Sequence, residues 1–494
     1  MGLYTRGINL NLSYYTDLEW IDNNKDISIK ELNNLDYFNL ANCSEITLFR
    51  DYNYDLKLRI TGELKTGINE LREDIMNTHF GITINGYSDY RITAYEINNC
   101  YIASCNTNYN FKENGSSKEF VELTYLVNGE VNIIHNNFVE TDQKLLIEWY
   151  LNGININFPR TTDRKYYKSL ARSRYGLDSE DYLIKKFPAE SGSRDCSYFN
   201  CGNLKFLVFK TLKDAGPDWS INYGIEYRNE WGIPDKETRN SIAEIISFLF
   251  GTQLLNIGYN TYSTDHYIIE SHLLNPPGDN IQTLCRTSKS SPIGIDYYAS
   301  LGFEIETTLI EPINNYLLLG NTLRLDEVLW RYWIGKRMPI GTNLPILASG
   351  LEVLANSWIK SNLSSGSNVY FEQEEFLSLI ADELETLSAK LESYDFKGKI
   401  LNKFKSAYHT GVNEKLEIMF SDLGIELSRK DKRALQARNK MAHGASLEDD
   451  KKVREAIDLS YVYLTLYEKI FLKIISFKGL HRVNGSSEHE MTEV

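Results

Sequence analysis

The sequence has little positive charge for its length and no long uninterrupted apolar run. Its 494 residues contain 53 Lys and Arg against 67 Asp and Glu, which gives a formal net charge of −14. Bulk charge therefore excludes non-specific adhesion to a phosphate backbone, and any contact with nucleic acid must be local. The most apolar late segment, YVYLTLYEKIFLKIISF, contains Glu468, Lys469 and Lys473. These charges favour a core helix over a membrane span.

The first twenty residues lack the features of a targeting signal. They contain no basic segment followed by an apolar one, and Arg6 stands where a myristoylation signal requires Ser or Thr. We therefore expect no export signal, no lipid anchor and a cytoplasmic location.

Cysteine is scarce, and its spacing only weakly resembles that of a zinc site. The six residues are two equally spaced pairs and two others, namely Cys100/Cys105, Cys196/Cys201, Cys43 and Cys285. Structural zinc sites usually have two residues between paired ligands, and the sequence has no His-x-x-x-His partner. Reduced, buried thiols are the favoured interpretation, with no metal or cofactor, and a four-thiolate zinc module stays an alternative.

The chain is long enough for about two to four domains. Residues 1–230 are predicted to form a β-rich domain resembling a sandwich or a barrel, because β-favouring runs recur without a sustained helical period. Asn128-Gly129 and Asn85-Gly86 predict hairpin turns, since both positions of such a turn require positive φ.

A mixed α/β extension is expected over residues 231–317. Its clearest element is a helix of about 20 residues that Asp235 can cap. One face of this helix is apolar and consists of Ile242, Ile245, Ile246, Leu249 and Phe250.

Residues 318–480 are predicted to form an all-α bundle, so the whole chain is expected to be an α+β multidomain protein. Two apolar stripes indicate helices: Leu325, Val328, Leu329, Tyr332 and Trp333 in the first, and Leu347, Leu351, Leu354 and Trp358 in the second. Further helices are expected at 372–392, 398–408, 413–423, 428–442 and 451–477. The polar residues 481–494 are expected to be a mobile tail.

An arginine followed by a histidine, with four to six residues between them, occurs three times. The spacing alone therefore decides nothing. Arg482 and His489 lie in the expected tail, where no scaffold holds them, and three carboxylates surround Arg72, which disfavours a phosphate there. The remaining pair, Arg438 and His443, lies in the stretch QARNKMAHGAS.

This stretch ends a helix with clear boundaries. Ser428 and Asp431 form a Ser-x-x-Asp capping box at its start, and Gly444 follows His443 at its end. Arg438 falls at the centre of an apolar arc of Ala434, Leu435, Met441 and Ala442. An inward arginine requires a carboxylate partner or an incoming phosphate, because burial of an isolated guanidinium is costly.

Four cations share one broad face of the same helix: Arg429, Lys432, Arg433 and Lys440. They are suitable for binding RNA. The alternative is an ordinary solvated face.

The segment Arg438-Asn439-Lys440-Met441-Ala442-His443-Gly444 resembles the signature of HEPN domains (higher eukaryotes and prokaryotes nucleotide-binding), which is Arg, a polar residue and then His. The preceding helices resemble the ApeA-like branch, in which a Leu-Glu element corresponds to Leu351-Glu352. This resemblance covers about residues 318–480 and implies a metal-independent endoribonuclease, usually a homodimer. It further implies deployment in anti-phage abortive infection, with the N-terminal region sensing a phage-derived trigger.

The resemblance also implies the chemistry. The RNA 2′-hydroxyl attacks the adjacent phosphate and leaves a 2′,3′-cyclic phosphate and a 5′-hydroxyl. His443 exchanges protons, Arg438 holds the phosphate and Asn439 orients it. Positions 438 and 443 of a straight helix diverge by about 140°, so we expect a second protomer to complete the site, although unwinding at Gly444 is the alternative.

Other interpretations of the same residues stay open. His443 is alternatively a helix-terminal histidine that contacts the last carbonyls. The bundle is alternatively a non-catalytic module that binds a nucleotide or a partner protein. Glu352 is either an exposed charge or a supporting residue near Arg438.

Overall fold

The computed structural model of the chain shows a β-rich unit and a helical unit. The β-rich unit comprises residues 1–236, 251–290 and 295–307, and the helical unit comprises 237–250, 291–294 and 308–494. The structure describes residues 27–29, 40–64, 80–88, 91–111, 117–127, 130–135, 143–166, 170–174, 182–183, 190–211, 216–263, 268–276, 281–286, 289–295, 304–361, 363–442, 449–486 and 490–494. The predicted combination of a β-rich N-terminal region and a helical C-terminal region is confirmed.

The strands that the structure describes in the β-rich unit form a single sheet. They are β1 (Ile27–Ile29), β2 (Leu40–Arg50), β3 (Leu56–Leu64), β4 (Phe80–Ser88), β5 (Arg91–Phe111), β6 (Ser117–Val127), β7 (Val131–His135), β8 (Gln143–Leu151), β9 (Arg160–Tyr166), β10 (Leu170–Arg174), β11 (Tyr182–Leu183), β12 (Glu190–Cys201), β13 (Leu204–Lys210), β14 (Tyr223–Arg228), β15 (Leu255–Ser263) and β16 (Ile268–Leu273). Their order is β1-β2-β3-β6-β5-β7-β16-β15-β8-β14-β13-β12-β9-β10-β11, with β4 beside β5. One hydrogen-bonded path thus links the strands of this unit that the structure describes.

The core of this sheet follows the two-residue period of a strand. In β3 every second residue is buried, including Leu56, Leu58 and Ile60. The same cluster contains Trp149 of β8, whose ring lies edge-on to Phe209 of β13 at 5.9 Å between centroids.

The hairpin turn predicted at Asn85-Gly86 is wrong. Asn85 and Gly86 lie within β4, opposite Ala94 and Thr93 of β5. The other predicted turn, Asn128-Gly129, lies outside the described residues, and the strands on either side of it, β6 and β7, both pair antiparallel with β5. This pairing is tertiary, since the 21-residue β5 is long enough to pair with both segments in succession.

The second cysteine pair does not have the geometry of a shared metal site. Cys196 and Cys201 are buried free thiols of β12. Because they are five residues apart on one strand, they project from opposite faces of the sheet. Burial raises the pKa of Cys201 to about 12, which disfavours the thiolate that zinc requires. The side chains of Cys100 and Cys105 lie outside the described residues.

The helices are α1 (Lys236–Phe250), α2 (Ile281–Arg286), α3 (Glu304–Leu323), α4 (Leu325–Arg337), α5 (Leu344–Lys360), α6 (Gln373–Leu379), α7 (Ala381–Lys390), α8 (Lys397–Lys405), α9 (Val412–Asp422), α10 (Arg429–Ala442) and α11 (Asp450–Ile474). The apolar residues predicted to share one face in each of α1, α4 and α5 are all buried. Within the ranges described above, no helix is both long and apolar enough to cross a membrane.

Several helix boundaries differ from the prediction, and α1 has 15 residues rather than about 20. The helical region begins at Glu304 rather than near residue 318, and Pro312 lies inside α3. Proline ordinarily disfavours a helix interior, which hides this helix from pattern analysis. The helix expected over 372–392 is two helices, α6 and α7, that meet at Ile380.

The C-terminal segment is ordered where a mobile tail was expected. Residues Leu480–Arg482 form β17 and residues Met491–Glu493 form β18, and the two strands pair antiparallel. The backbone N–H of Arg482 donates to the carbonyl of Pro292 at 2.7 Å. His481 is fully buried, so this polar segment is held by tertiary contacts that its composition does not reveal.

Candidate functional site

Helix α10, which contains the Arg438-Asn439 element, begins with the predicted capping box. The backbone N–H of Ser428 donates to Asp431 Oδ2 at 2.8 Å, and the backbone N–H of Asp431 donates to Ser428 Oγ at 3.1 Å. Both contacts satisfy amide groups that a helix start leaves unpaired. The sequence therefore predicted the start of this helix correctly.

The buried face of α10 packs against α5 and α11. Ala434 is fully buried on this face, and position 438 follows it by four residues, about one helical turn. The backbone of Arg438, Asn439 and Lys440 is helical. The side chains of these three residues, and His443 and Gly444 entirely, lie outside the described residues.

Basic residues line the exposed face of the same helix. Arg429, Lys432 and Arg433 are all exposed. Arg433 also forms an ion pair with Glu455 of α11. The start of α11 has three exposed cations that the sequence analysis did not include, Lys451, Lys452 and Arg454, beside the exposed Asp449, Asp450 and Glu455. Their signal was the stretch KKVRE, residues 451–455, which begins eight residues after His443 in the chain.

Glu352 lies on α5, beside the buried Leu351 and half-buried itself. It is therefore not the fully exposed charge of the simplest interpretation. The same helix contacts α9 through Asn356, whose Oδ1 accepts a hydrogen bond from Lys415 Nζ at 3.0 Å. The Leu-Glu element and the Arg-Asn element thus belong to helices that pack directly against each other.

We expect Ser428→Ala to loosen the start of α10. Loss of this cap should cost about 1 kcal/mol of helix stability, because one first-turn N–H loses its acceptor. Hydrogen exchange of the α10 amides should then accelerate about fivefold. The matched control is Ser421→Ala in α9, an exposed serine inside a helix, where alanine has the higher helix propensity. Equal exchange rates in the two variants would contradict a stabilising role for the cap.

A second group of polar residues, which the sequence analysis missed, surrounds Glu468 of α11. Tyr332 donates to Glu468 Oε1 at 2.6 Å, and the Nδ2 of Asn484 donates to Glu468 Oε2 at 2.7 Å. His481 Nε2 lies 3.6 Å from the same carboxylate. Lys336 Nζ lies 5.2 Å from the centre of the Tyr332 ring.

The charge of Glu468 is stabilised within the bundle. Burial by itself raises the pKa of this carboxyl, but the contacts with His481 and Tyr332 and the charge of Lys336 together outweigh burial, and the net pKa is lowered. Glu468 is 1 % exposed and His481 0 %, so the group holds the C-terminal segment rather than meeting a substrate. A sequence signal existed, because Glu468 lies four residues after the buried Leu464 and three before the buried Phe471.

Comparison with known proteins supplies no further identification. No family model matches the chain, no curated protein matches it, and no solved structure matches its fold. The HEPN resemblance therefore depends on the residues of the motif and on their placement in the helical unit.

Proposed function

We propose that the protein is a metal-independent endoribonuclease of the HEPN type. The observation that carries this proposal is helix α10, which has a capped start, a buried face at Ala434 and exposed cations at Arg429 and Lys432. The Arg438-Asn439 element lies in the last turns of this helix. A basic helix that leads to such an element is suited to a phosphate backbone even on an acidic chain.

The proposed reaction uses the nucleophile that RNA itself carries. His443 accepts the proton of the 2′-hydroxyl or protonates the leaving 5′-oxygen, because an imidazole exchanges protons near neutral pH. Arg438 supplies a permanent two-pronged cation for the charge that develops on the phosphorane. Asn439 orients the phosphate through its amide. The products are a 2′,3′-cyclic phosphate and a 5′-hydroxyl.

The proposal includes a homodimer and a biological setting. Since positions 438 and 443 diverge on a straight helix, a partner subunit that brings its own pair across a two-fold axis completes the site. Such an enzyme is toxic to its own cell and must be silent until needed. We propose that the β-rich unit senses a phage-derived trigger and that cleavage of RNA then aborts the infection.

The test is incubation of the purified protein with single-stranded RNA in the presence of EDTA. We expect fragments with cyclic-phosphate ends, because no metal ion takes part in the proposed reaction. An otherwise identical oligonucleotide with one 2′-deoxy sugar at the cleaved position should resist at that position, since it lacks the nucleophile. Cleavage of the deoxy position, or 3′-hydroxyl products, would contradict the proposal.

The alternative function is a non-catalytic module that binds a nucleotide or a partner. The exposed Arg429 and Lys432 favour phosphate binding whether or not a bond is cut. Salt-dependent RNA binding without any cleavage, in the protein activated with lysate from infected cells, would favour this alternative. Appearance of cyclic-phosphate ends under the same conditions would exclude it.

A further inference from the structure

The segment Phe371–Lys405 forms a part of the helical unit that has no core of its own. It contains α6, α7 and α8, and none of the residues in these three helices is buried. Several large apolar side chains point into solvent, among them Leu379 at 65 % and Phe404 at 51 % exposure. We call this segment the three-helix arm.

The exposed apolar residues of the arm are Phe371, Leu379, Tyr394, Phe396 and Phe404. Single exposed apolar residues are ordinary on a protein surface, but a group of five within 35 residues is not. The rings of Tyr394 and Phe396 lie 5.1 Å apart between centroids, and exposed apolar side chains grouped in this way are typical of a surface where another protein binds. The exposed apolar side chains of the arm therefore indicate a surface that a partner covers.

Charge divides the arm into two halves of opposite sign. The first half, residues 371–395, carries eight acidic residues and a single cation, and the acidic residues are Glu372, Glu374, Glu375, Asp382, Glu383, Glu385, Glu392 and Asp395. The second half, residues 396–405, carries only cations, namely Lys397, Lys399, Lys403 and Lys405. Within the part of the chain that the structure describes, the ion pair between Lys397 and Glu392 joins the two halves, and most of these charges face solvent.

A groove lies between α7 and α8 where the two halves meet. Its volume is about 390 Å³, and it is lined by Asp382, Glu383, Thr386, Leu387, Lys390 and Phe404. The groove thus combines an acidic edge with an exposed aromatic ring. A partner suited to it brings cations and an apolar side chain together, which is the composition of α8 itself.

We propose that the three-helix arm binds the same arm of a second copy of this chain. In a two-fold arrangement the acidic α7 of one copy faces the basic α8 of the other, and the reverse contact forms by symmetry. Phe404 of each copy then becomes buried in the groove. This self-complementarity is the reason for choosing a second copy, because both halves of each contact are present on one surface. The proposal holds whether or not the protein cuts RNA, since the arm contains none of the residues assigned to cleavage.

The test uses charge reversal and its compensation. Glu383→Lys with Glu385→Lys should raise the dissociation constant of the dimer by about 100-fold or more, and so should Lys403→Glu with Lys405→Glu, because like charges then face each other. A chain that carries all four substitutions restores opposite charges across the two-fold axis and should dimerise again. Sedimentation equilibrium of the full-length protein gives the constants.

The control is Glu417→Lys with Glu426→Lys, which changes the net charge by the same amount at exposed positions outside the arm. This variant should dimerise as the natural chain does. Recovery in the fourfold variant separates interface loss from misfolding. A natural chain that is monomeric at every concentration, or a dimer that neither reversal weakens, would overturn the proposal. Failure of RNA cleavage in a protein that still dimerises through the arm would refute only the ribonuclease.

Discussion

His443→Ala is expected to slow RNA cleavage by about a thousandfold, since a positioned general acid or base contributes about 10² to 10⁴ in rate. RNA binding should change little, because the cations of α10 that contact the phosphates are retained. The measurements are the rate at which cyclic-phosphate ends appear and the affinity for an RNA with 2′-deoxy sugars, which binds without being cut.

The matched control for this substitution is His409→Ala. His409 is an exposed histidine of the same helical unit, outside α10. The His409→Ala variant should cleave RNA at the natural rate. Cleavage that is equally fast in the His443 and His409 variants would place the reaction elsewhere in the chain. Arg438→Lys extends the test, because lysine keeps the charge but loses the two-pronged contact with phosphate, so cleavage should fall while binding persists.

Glu468→Gln is expected to lower the free energy of unfolding by about 3 kcal/mol. Glutamine has nearly the same shape, so the loss reports the missing charge rather than a cavity. Lys336 would then lie near a neutral amide, and the costly burial of its charge would be uncompensated. Urea unfolding followed by tryptophan fluorescence measures the difference.

The pH dependence of the free energy of unfolding distinguishes a role of the Glu468 charge from simple packing of its side chain. The folded pKa of Glu468 lies below its ordinary value of about 4.3, so the carboxylate stabilises the fold above that pH. This contribution is lost as the pH falls through the lowered pKa. The difference in the free energy of unfolding between the natural chain and Glu468→Gln should therefore be constant near neutral pH. This difference should become smaller below about pH 4.3.

A surface ion pair supplies the control for the buried one. Glu311 and Lys478 lie 3.0 Å apart, and their side chains are 51 % and 80 % exposed. Glu311→Gln should cost less than about 1 kcal/mol, because solvent screens exposed pairs. If Glu468→Gln and Glu311→Gln lower the free energy of unfolding by the same amount, burial of Glu468 does not strengthen its contribution.

Helical periodicity and capping predicted much of the helical unit. The stripe from Leu325 to Trp333 is buried in α4, and Ser428 and Asp431 cap α10. Both features depend on residues within two turns of each other, so a single sequence contains the information. The same reasoning failed where partners are distant in the chain. Strand β8, for example, pairs with β14 and β15, and no local pattern of residues reports this.

The candidate site divides in the same way. The motif and its spacing identify Arg438, Asn439 and His443 as candidates, and the basic face of α10 is visible in the sequence. The ion pair between Arg433 and Glu455 is not, because it depends on how α10 packs against α11. The reversal of charge between the halves of the arm is written in the sequence, but only the fold shows that its apolar side chains face solvent.

The sequence by itself determined the order of a β-rich region and a helical region, the faces of α1, α4 and α5, and the capped start of α10. Those features follow from hydrogen bonds and apolar periods between near neighbours. Tertiary structure alone decided the single sheet path, the burial of Glu468 beside His481, and the ordered C-terminal strands. The physical reason is that the stability of a buried charge or a strand edge depends on partners brought from elsewhere in the chain, and local composition carries no record of them.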